Sequence, residues 1–158
     1  MKILITFFSR TKNTKKVAEI LKKEFKADIE EIKDTKINRM GVKGYLISGR
    51  EGMTEKLAEI KQTKKDSSKY DLVIIGTPVW GFNMASPIRT YLTQNKNKFK
   101  KIAVFCTHDG GPGKTLAKMT SLIEKRAVAV LDINRKFLNE KKEQEKLKEF
   151  IQKIKNVK

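Results

Sequence analysis

The chain has 158 residues, 39% of them hydrophobic and 34% charged, enough for one hydrophobic core without disulfide staples, so a single domain over residues 1–158 is expected. Its apolar runs, such as Leu72 to Ile75, are too short to cross a bilayer, and a lone cysteine, Cys106, excludes an internal disulfide and any multi-cysteine zinc or iron–sulfur site. Lys and Arg number 36 against 18 Asp and Glu, for a net charge of +18. The lysines are scattered through Lys22-Lys23, Lys64-Lys65, Lys96 to Lys101 and Lys141-Lys142 with few aromatics between them. That pattern reads as general surface charge able to steer acidic partners, with nucleic-acid binding the lesser reading.

Lys2 to Phe8 reads as a buried strand rather than a leader, since the apolar run is short and no small-residue cleavage site follows; a cytoplasmic protein is expected. After a polar turn, Val17, Ile20, Leu21 and Phe25 recur at helical spacing. A short strand near Ile29 to Ile32 follows, then an irregular basic stretch through Gly41 and Gly44, then a helix from about Gly52 to Ile60. Tyr70 to Gly76 reads as a strand whose run from Leu72 to Ile75 is apolar on both faces, as the middle of a parallel sheet requires, and it is expected to end in a Thr77-Pro78 loop before a helix around Ile88, Tyr91 and Leu92. Lys101 to Thr107 is the fourth strand and carries Cys106 as a core thiol. A glycine-rich loop, a helix through Leu116, Met119 and Ile123, a fifth strand from Ala127 to Ile133 and a terminal helix with Leu147, Phe150, Ile151 and Ile154 on one face complete the chain.

Strands alternating with helices predict a doubly wound α/β fold, a five-stranded parallel sheet in the order 2-1-3-4-5 with helices on both faces. Ligand then binds above the strand C-termini. Polar or glycine-rich loops follow strands one, three and four: Ser9 to Thr14, Thr77 to Phe82, and Thr107 to Gly113. In that order these strands are neighbours, so the loops surround one crevice. Ser9, Arg10, Thr11, Lys12, Asn13 and Thr14 open a helix with a concentration of hydroxyl and amide groups that exceeds what capping needs, which suits a phosphate monoester.

The order of Ser9, Thr11, Asn13 and Thr14 after a first strand resembles the phosphate loop of the flavodoxin family, with Lys12 where that family usually has glycine. Gly76-Thr77-Pro78-Val79-Trp80-Gly81 is similar to a segment of a subgroup of flavodoxin-like proteins, and Thr107-His108-Asp109-Gly110-Gly111-Pro112-Gly113 resembles the family's last flavin loop, without the tyrosine often found there. The segment Lys43-Gly44-Tyr45-Leu46-Ile47-Ser48-Gly49 extends the resemblance, which runs through nearly the whole chain. It implies FMN as cofactor, held by Ser9 to Thr14 at its phosphate and by Thr77, Pro78, Val79, Trp80, Gly81, Thr107, His108, Asp109, Gly110, Gly111 and Gly113 around its ring. Trp80 could lie against the ring or be partly buried packing. His108 could hydrogen-bond the flavin, shuttle a proton, or be a surface histidine with no role.

Gly113-Lys114-Thr115 ends a strand-to-helix loop as a P-loop does, but the leading glycine would have to stand at His108. A phosphoacceptor receiver needs acidic residues where Phe8-Ser9 and Gly76-Thr77 stand. With no nucleophile–base pair and no metal cluster, the chemistry belongs to the cofactor. The leading expectation is an FMN-binding electron carrier shuttling electrons between redox partners, acidic ones such as a ferredoxin-like protein or a reductase. The alternatives are a flavin-dependent NAD(P)H:quinone-type oxidoreductase, and a basic binding protein that keeps the fold without the flavin.

Overall fold

The computed structural model describes residues 1–35 and 41–157. Strand β1, Ile3–Phe7, is entirely buried, and helix α1, Asn13–Phe25, returns over the sheet to β2, Asp28–Glu31. Next come α2, Gly41–Met53, then β3, Leu72–Trp80, which turns back on the short β4, Asn83–Met84. Helix α3, Ser86–Asn95, β5, Lys101–His108, α4, Thr115–Ile123, β6, Val130–Asn134, and α5, Lys141–Lys155, follow in alternation. The parallel strands are ordered β2-β1-β3-β5-β6, with β4 antiparallel on β3. This is the expected doubly wound sheet with one short strand added.

Successive side chains along a strand leave by opposite faces, and the core divides accordingly. Ile3, Ile5, Phe7, Leu72, Ile74 and Phe105 meet Val17 and Leu21 of α1 and Leu147, Phe150 and Ile154 of α5 on one face. Leu4, Val73, Ile75, Ile102 and Val104 meet Ile88, Tyr91 and Leu92 of α3 and Met119 and Ile123 of α4 on the other. Cys106 is fully buried and burial pushes its thiol well up, as a core thiol requires.

Two stretches depart from the sequence reading. The helix expected from about Gly52 to Ile60 is instead α2 at Gly41–Met53, and the stretch through Gly41 and Gly44, expected to be irregular, is its first turn; the part of that stretch over residues 36–40 lies outside the described residues. Helical periodicity was no guide here, because α2 buries Gly44, Ser48, Glu51 and Gly52 rather than an apolar stripe. A Cβ on Gly52 would lie 2.0 Å from the carbonyl oxygen of Trp80, so only glycine lets the helix sit this close to the sheet. Strand β3 also runs four residues past Gly76, through Pro78 to Trp80. Its neighbour β1 stops opposite Gly76, while β5 continues opposite Pro78. Beyond Gly76, then, β3 has β5 alone as a parallel neighbour, a position where proline is tolerated in a strand.

Candidate functional site

At the C-terminal edge of the sheet the three loops border a cavity of about 360 Å³, within the range of small-molecule sites. From the first loop, Arg10, Thr11, Asn13 and Thr14 reach it; from the second, Pro78, Val79, Trp80 and Gly81; from the third, Thr107, His108, Asp109, Gly110 and Gly111. Four residues expected there stand behind the lining. The Ser9 hydroxyl accepts the Lys15 N–H at 3.3 Å. Lys12 precedes α1 in the left-handed region at φ 63°. The buried Thr77 hydroxyl donates to the Pro78 carbonyl at 2.9 Å and accepts the Ala85 N–H at 3.0 Å. A Cβ on Gly113 would meet the Phe82 carbonyl oxygen at 2.7 Å, so this glycine packs on the hairpin.

The first loop is arranged for an anion. Helix α1 starts with no acidic residue in its first turn and no cap from Lys12; the Ser9 hydroxyl takes the Lys15 N–H, and the positive end of the helix dipole faces the loop with no negative charge on it. The Thr14 and Thr107 hydroxyls share a buried hydrogen bond of 2.8 Å that joins α1 to β5, and the Asn13 amide donates to the Thr11 hydroxyl at 2.9 Å. Arg135, just past β6, closes this side. It grips the Asp109 carboxylate through Nε and through Nη2, the latter at 2.6 Å, and its Nη1 is 3.4 Å from the Thr11 hydroxyl. The hydrogen bond from Arg135 holds the Asp109 carboxyl below the usual carboxylate range.

His108 takes a role the sequence reading did not include. It is buried, its Nδ1 accepts the Gly111 N–H at 2.9 Å, and its Nε2 lies 3.2 Å from Asp132 Oδ2. An accepting Nδ1 leaves Nε2 as the donor. The ring thus ties the glycine loop to β6, and Asp132 passes the connection to Lys146 of α5 at 2.8 Å. Burial raises the Asp132 carboxyl, but hydrogen bonds from Lys146 and His108 outweigh it and leave the group lowered. Beyond Gly110 and Gly111 an added Cβ would meet no atom within 4 Å, and Gly111 holds a φ of 137°, so bare backbone faces the cavity there.

Trp80 is packed, and it also borders the cavity. Its ring is buried, edge-on to Phe8 at 5.3 Å and 82°, and it still forms part of the cavity wall. Three lining residues were missed from sequence, Tyr45, Gly49 and Arg135, and Phe82 was read only as the end of the second loop. Tyr45 and Gly49 fall inside the Lys43 to Gly49 segment, so the signal was present without a placement. Arg10 stacks on the Tyr45 ring at 4.9 Å, linking the first loop to α2 across the mouth.

The sequence profile of the family described as Flavodoxin matches residues 2–154; the chain belongs to the flavodoxin family. A flavoprotein from Lactobacillus acidophilus NCFM, crystallised in complex with FMN, is 28% identical, with 87% of this chain and 96% of that one covered at a TM-score of 0.72. The two-electron reduced flavodoxin of Megasphaera elsdenii is 17% identical over 98% of this chain and 99% of that one at 0.65, a likeness of fold alone. No curated protein matches the chain. Among the described residues no helix is long and apolar enough to cross a membrane, and no group of His, Cys, Asp and Glu could hold a metal ion.

Proposed function

We propose that the chain binds FMN non-covalently and carries electrons between redox proteins. The observation that carries this reading is the donor set at one end of the cavity, the open start of α1 with Thr11, Asn13 and Thr14 beside it, facing an apolar wall of Pro78, Val79 and Trp80. A phosphate fits the first and a flat ring the second. Bound there, FMN supplies one- and two-electron redox chemistry. The protein's part is to bind the phosphate, to present the backbone N–H of Gly110 to a ring carbonyl, and to fix that loop through the Gly111 N–H on His108. The FMN-bound relative supports the cofactor, and the charge of +18 supports partners that are acidic, ferredoxin-like proteins or a reductase.

The test is calorimetry on flavin-stripped protein with FMN and with riboflavin, beside an absorption spectrum of the protein as purified. FMN should bind far more tightly than riboflavin, and the bound form should show flavin bands. Colourless protein that gives no heat with FMN overturns the reading. Steady oxidation of NAD(P)H by the loaded protein with a quinone replaces the carrier by the reductase.

A further inference from the structure

Helix α2 is built inside out. It turns Gly44, Ser48, Glu51 and Gly52 toward the protein, with the Ser48 hydroxyl bonded to the Gly44 carbonyl at 2.7 Å and Glu51 accepting from Ser86 at 2.7 Å. To solvent it turns Val42 at 78% exposure, Tyr45 at 62%, Leu46 at 66% and Met53 at 70%. Beside it, at the tip of the β3–β4 hairpin, Phe82 is 76% exposed. Phe82 also sits at φ +61° after Gly81 at φ +53°. A two-residue hairpin with both central residues at positive φ favours Asn-Gly, and a bulky aromatic there is strained. The turn closes the hairpin, but it does not need a phenylalanine, and an apolar patch kept exposed at such cost marks an interaction surface.

We propose that α2 and the Phe82 hairpin form the docking surface for an acidic redox protein, whose apolar centre covers Val42, Leu46 and Phe82 and whose carboxylates meet Lys43, Arg50 and Lys114. This rests on reading the cavity as a flavin site. The exposed charged residues of α2 are Lys43 and Arg50, both positive, and Lys114 is exposed next to the hairpin, its N–H bonded to the Phe82 carbonyl at 3.1 Å. The carboxylate beside the hairpin, Glu55, is already paired with Lys118 and Arg89, and an apolar centre whose unneutralised rim charge is positive is the anatomy of a steered protein interface. A second copy would bring the same positive rim and the same +18 against itself. Tyr45 and Phe82 belong both to the patch and to the cavity wall, so a protein seated here lies at the mouth through which electrons leave. A flat lipid surface puts no redox centre there.

The experiment titrates FMN-loaded protein with an acidic ferredoxin at low salt, by calorimetry and by amide chemical shifts. Wild type should bind with perturbed amides clustered on α2 and the hairpin, and should weaken steeply as salt rises. The double variant Val42→Ser, Leu46→Gln should bind ferredoxin about tenfold more weakly while its FMN affinity is unchanged. Phe82→Asn should weaken ferredoxin binding and at the same time raise the Tm, because the turn strain is relieved, an opposition that a purely structural residue would not show. Ferredoxin binding undiminished in the double variant overturns the proposal. So does sedimentation with phosphatidylglycerol vesicles, or self-association, that depends on Val42 and Leu46. FMN-loaded wild type that ignores ferredoxin ends this inference alone, whereas wild type that takes up no FMN ends the flavin reading as well.

Discussion

The two sides of the cavity are held by different physics. The side formed by Ser9 to Thr14, β5 and β6 is a network of hydrogen bonds in which Thr14, Thr107, His108, Asp109, Asp132 and Arg135 each have a named partner. The side formed by α2 and the β3–β4 hairpin rests on close approach, glycine against backbone, with a buried hydrogen bond from the Asn83 amide to the Gly52 carbonyl at 3.2 Å, and it leaves Val42, Tyr45, Leu46 and Phe82 outside. Polar geometry that must be kept to a few tenths of an ångström needs specific side chains. Close approach needs only the absence of one. The two sides should therefore fail differently when changed.

Gly52→Ala should have the largest effect. Its methyl would lie 2.0 Å from the Trp80 carbonyl oxygen, where only backbone can yield, and overpacking of this kind costs about 3 kcal/mol. A urea midpoint should fall accordingly and FMN affinity with it, since α2 carries Tyr45 and Gly49 on the wall. An unchanged midpoint would mean that α2 does not rest on the hairpin as described. On the opposite side, Thr14→Val keeps the shape and removes one half of the buried 2.8 Å hydroxyl pair, leaving Thr107 unsatisfied for about 2 kcal/mol. Thr14→Ser, which keeps the hydroxyl, should recover most of that; a serine variant as unstable as the valine one would assign the loss to the methyl group.

This division also decides what could be read from sequence. Short-range chemistry is legible: a cluster of Ser, Thr and Asn after a first strand marks a loop that does border the cavity, and apolar strand runs announce a buried parallel sheet. Arg135 was missed because its value depends on Asp109, 26 residues away in sequence, and nothing local marks a lone arginine after a strand. Helix α2 was misplaced for a stronger reason. The search for an apolar stripe presumes that the apolar face is the buried one, and here Gly44, Ser48 and Gly52 are buried while Val42, Tyr45 and Leu46 are not. Strand β3 was cut at Gly76 because the proline that follows at Pro78 ordinarily ends a strand, and the early end of β1 that permits it is a tertiary fact.

Lys12 lies between these cases. Its place in a loop usually carrying glycine was visible, and its φ of 63° shows the cost. Lys12→Gly should relieve left-handed strain, partly offset by the added freedom of the unfolded chain, for a net gain of about 1 kcal/mol. The same change removes a positive charge from the loop that borders the cavity, so the Tm should rise while FMN binding becomes weaker and less sensitive to salt. A variant that loses stability would show that the lysine side chain has a structural contact outweighing the strain.

Acid should separate the two sides by the smallest margin. Asp109 is held below its ordinary range by the Arg135 hydrogen bond, and Asp132 is lowered despite burial by its bonds to Lys146 and His108. A carboxyl lowered in the folded state contributes stability that is full above its unfolded value, about 3.9, and is lost as pH falls through the folded one. Stability measured from pH 7 downward should therefore hold to about pH 4 and then decline. Arg135→Ala should make that decline shallower, by removing the Asp109 share, and should lower the plateau by less than about 1 kcal/mol because the pair is partly exposed. Leu46→Gln, on the apolar side, should leave the acid limb parallel to wild type. If the Leu46 variant changed the limb and the Arg135 variant did not, the ionic network and the close-packed side would have to exchange roles.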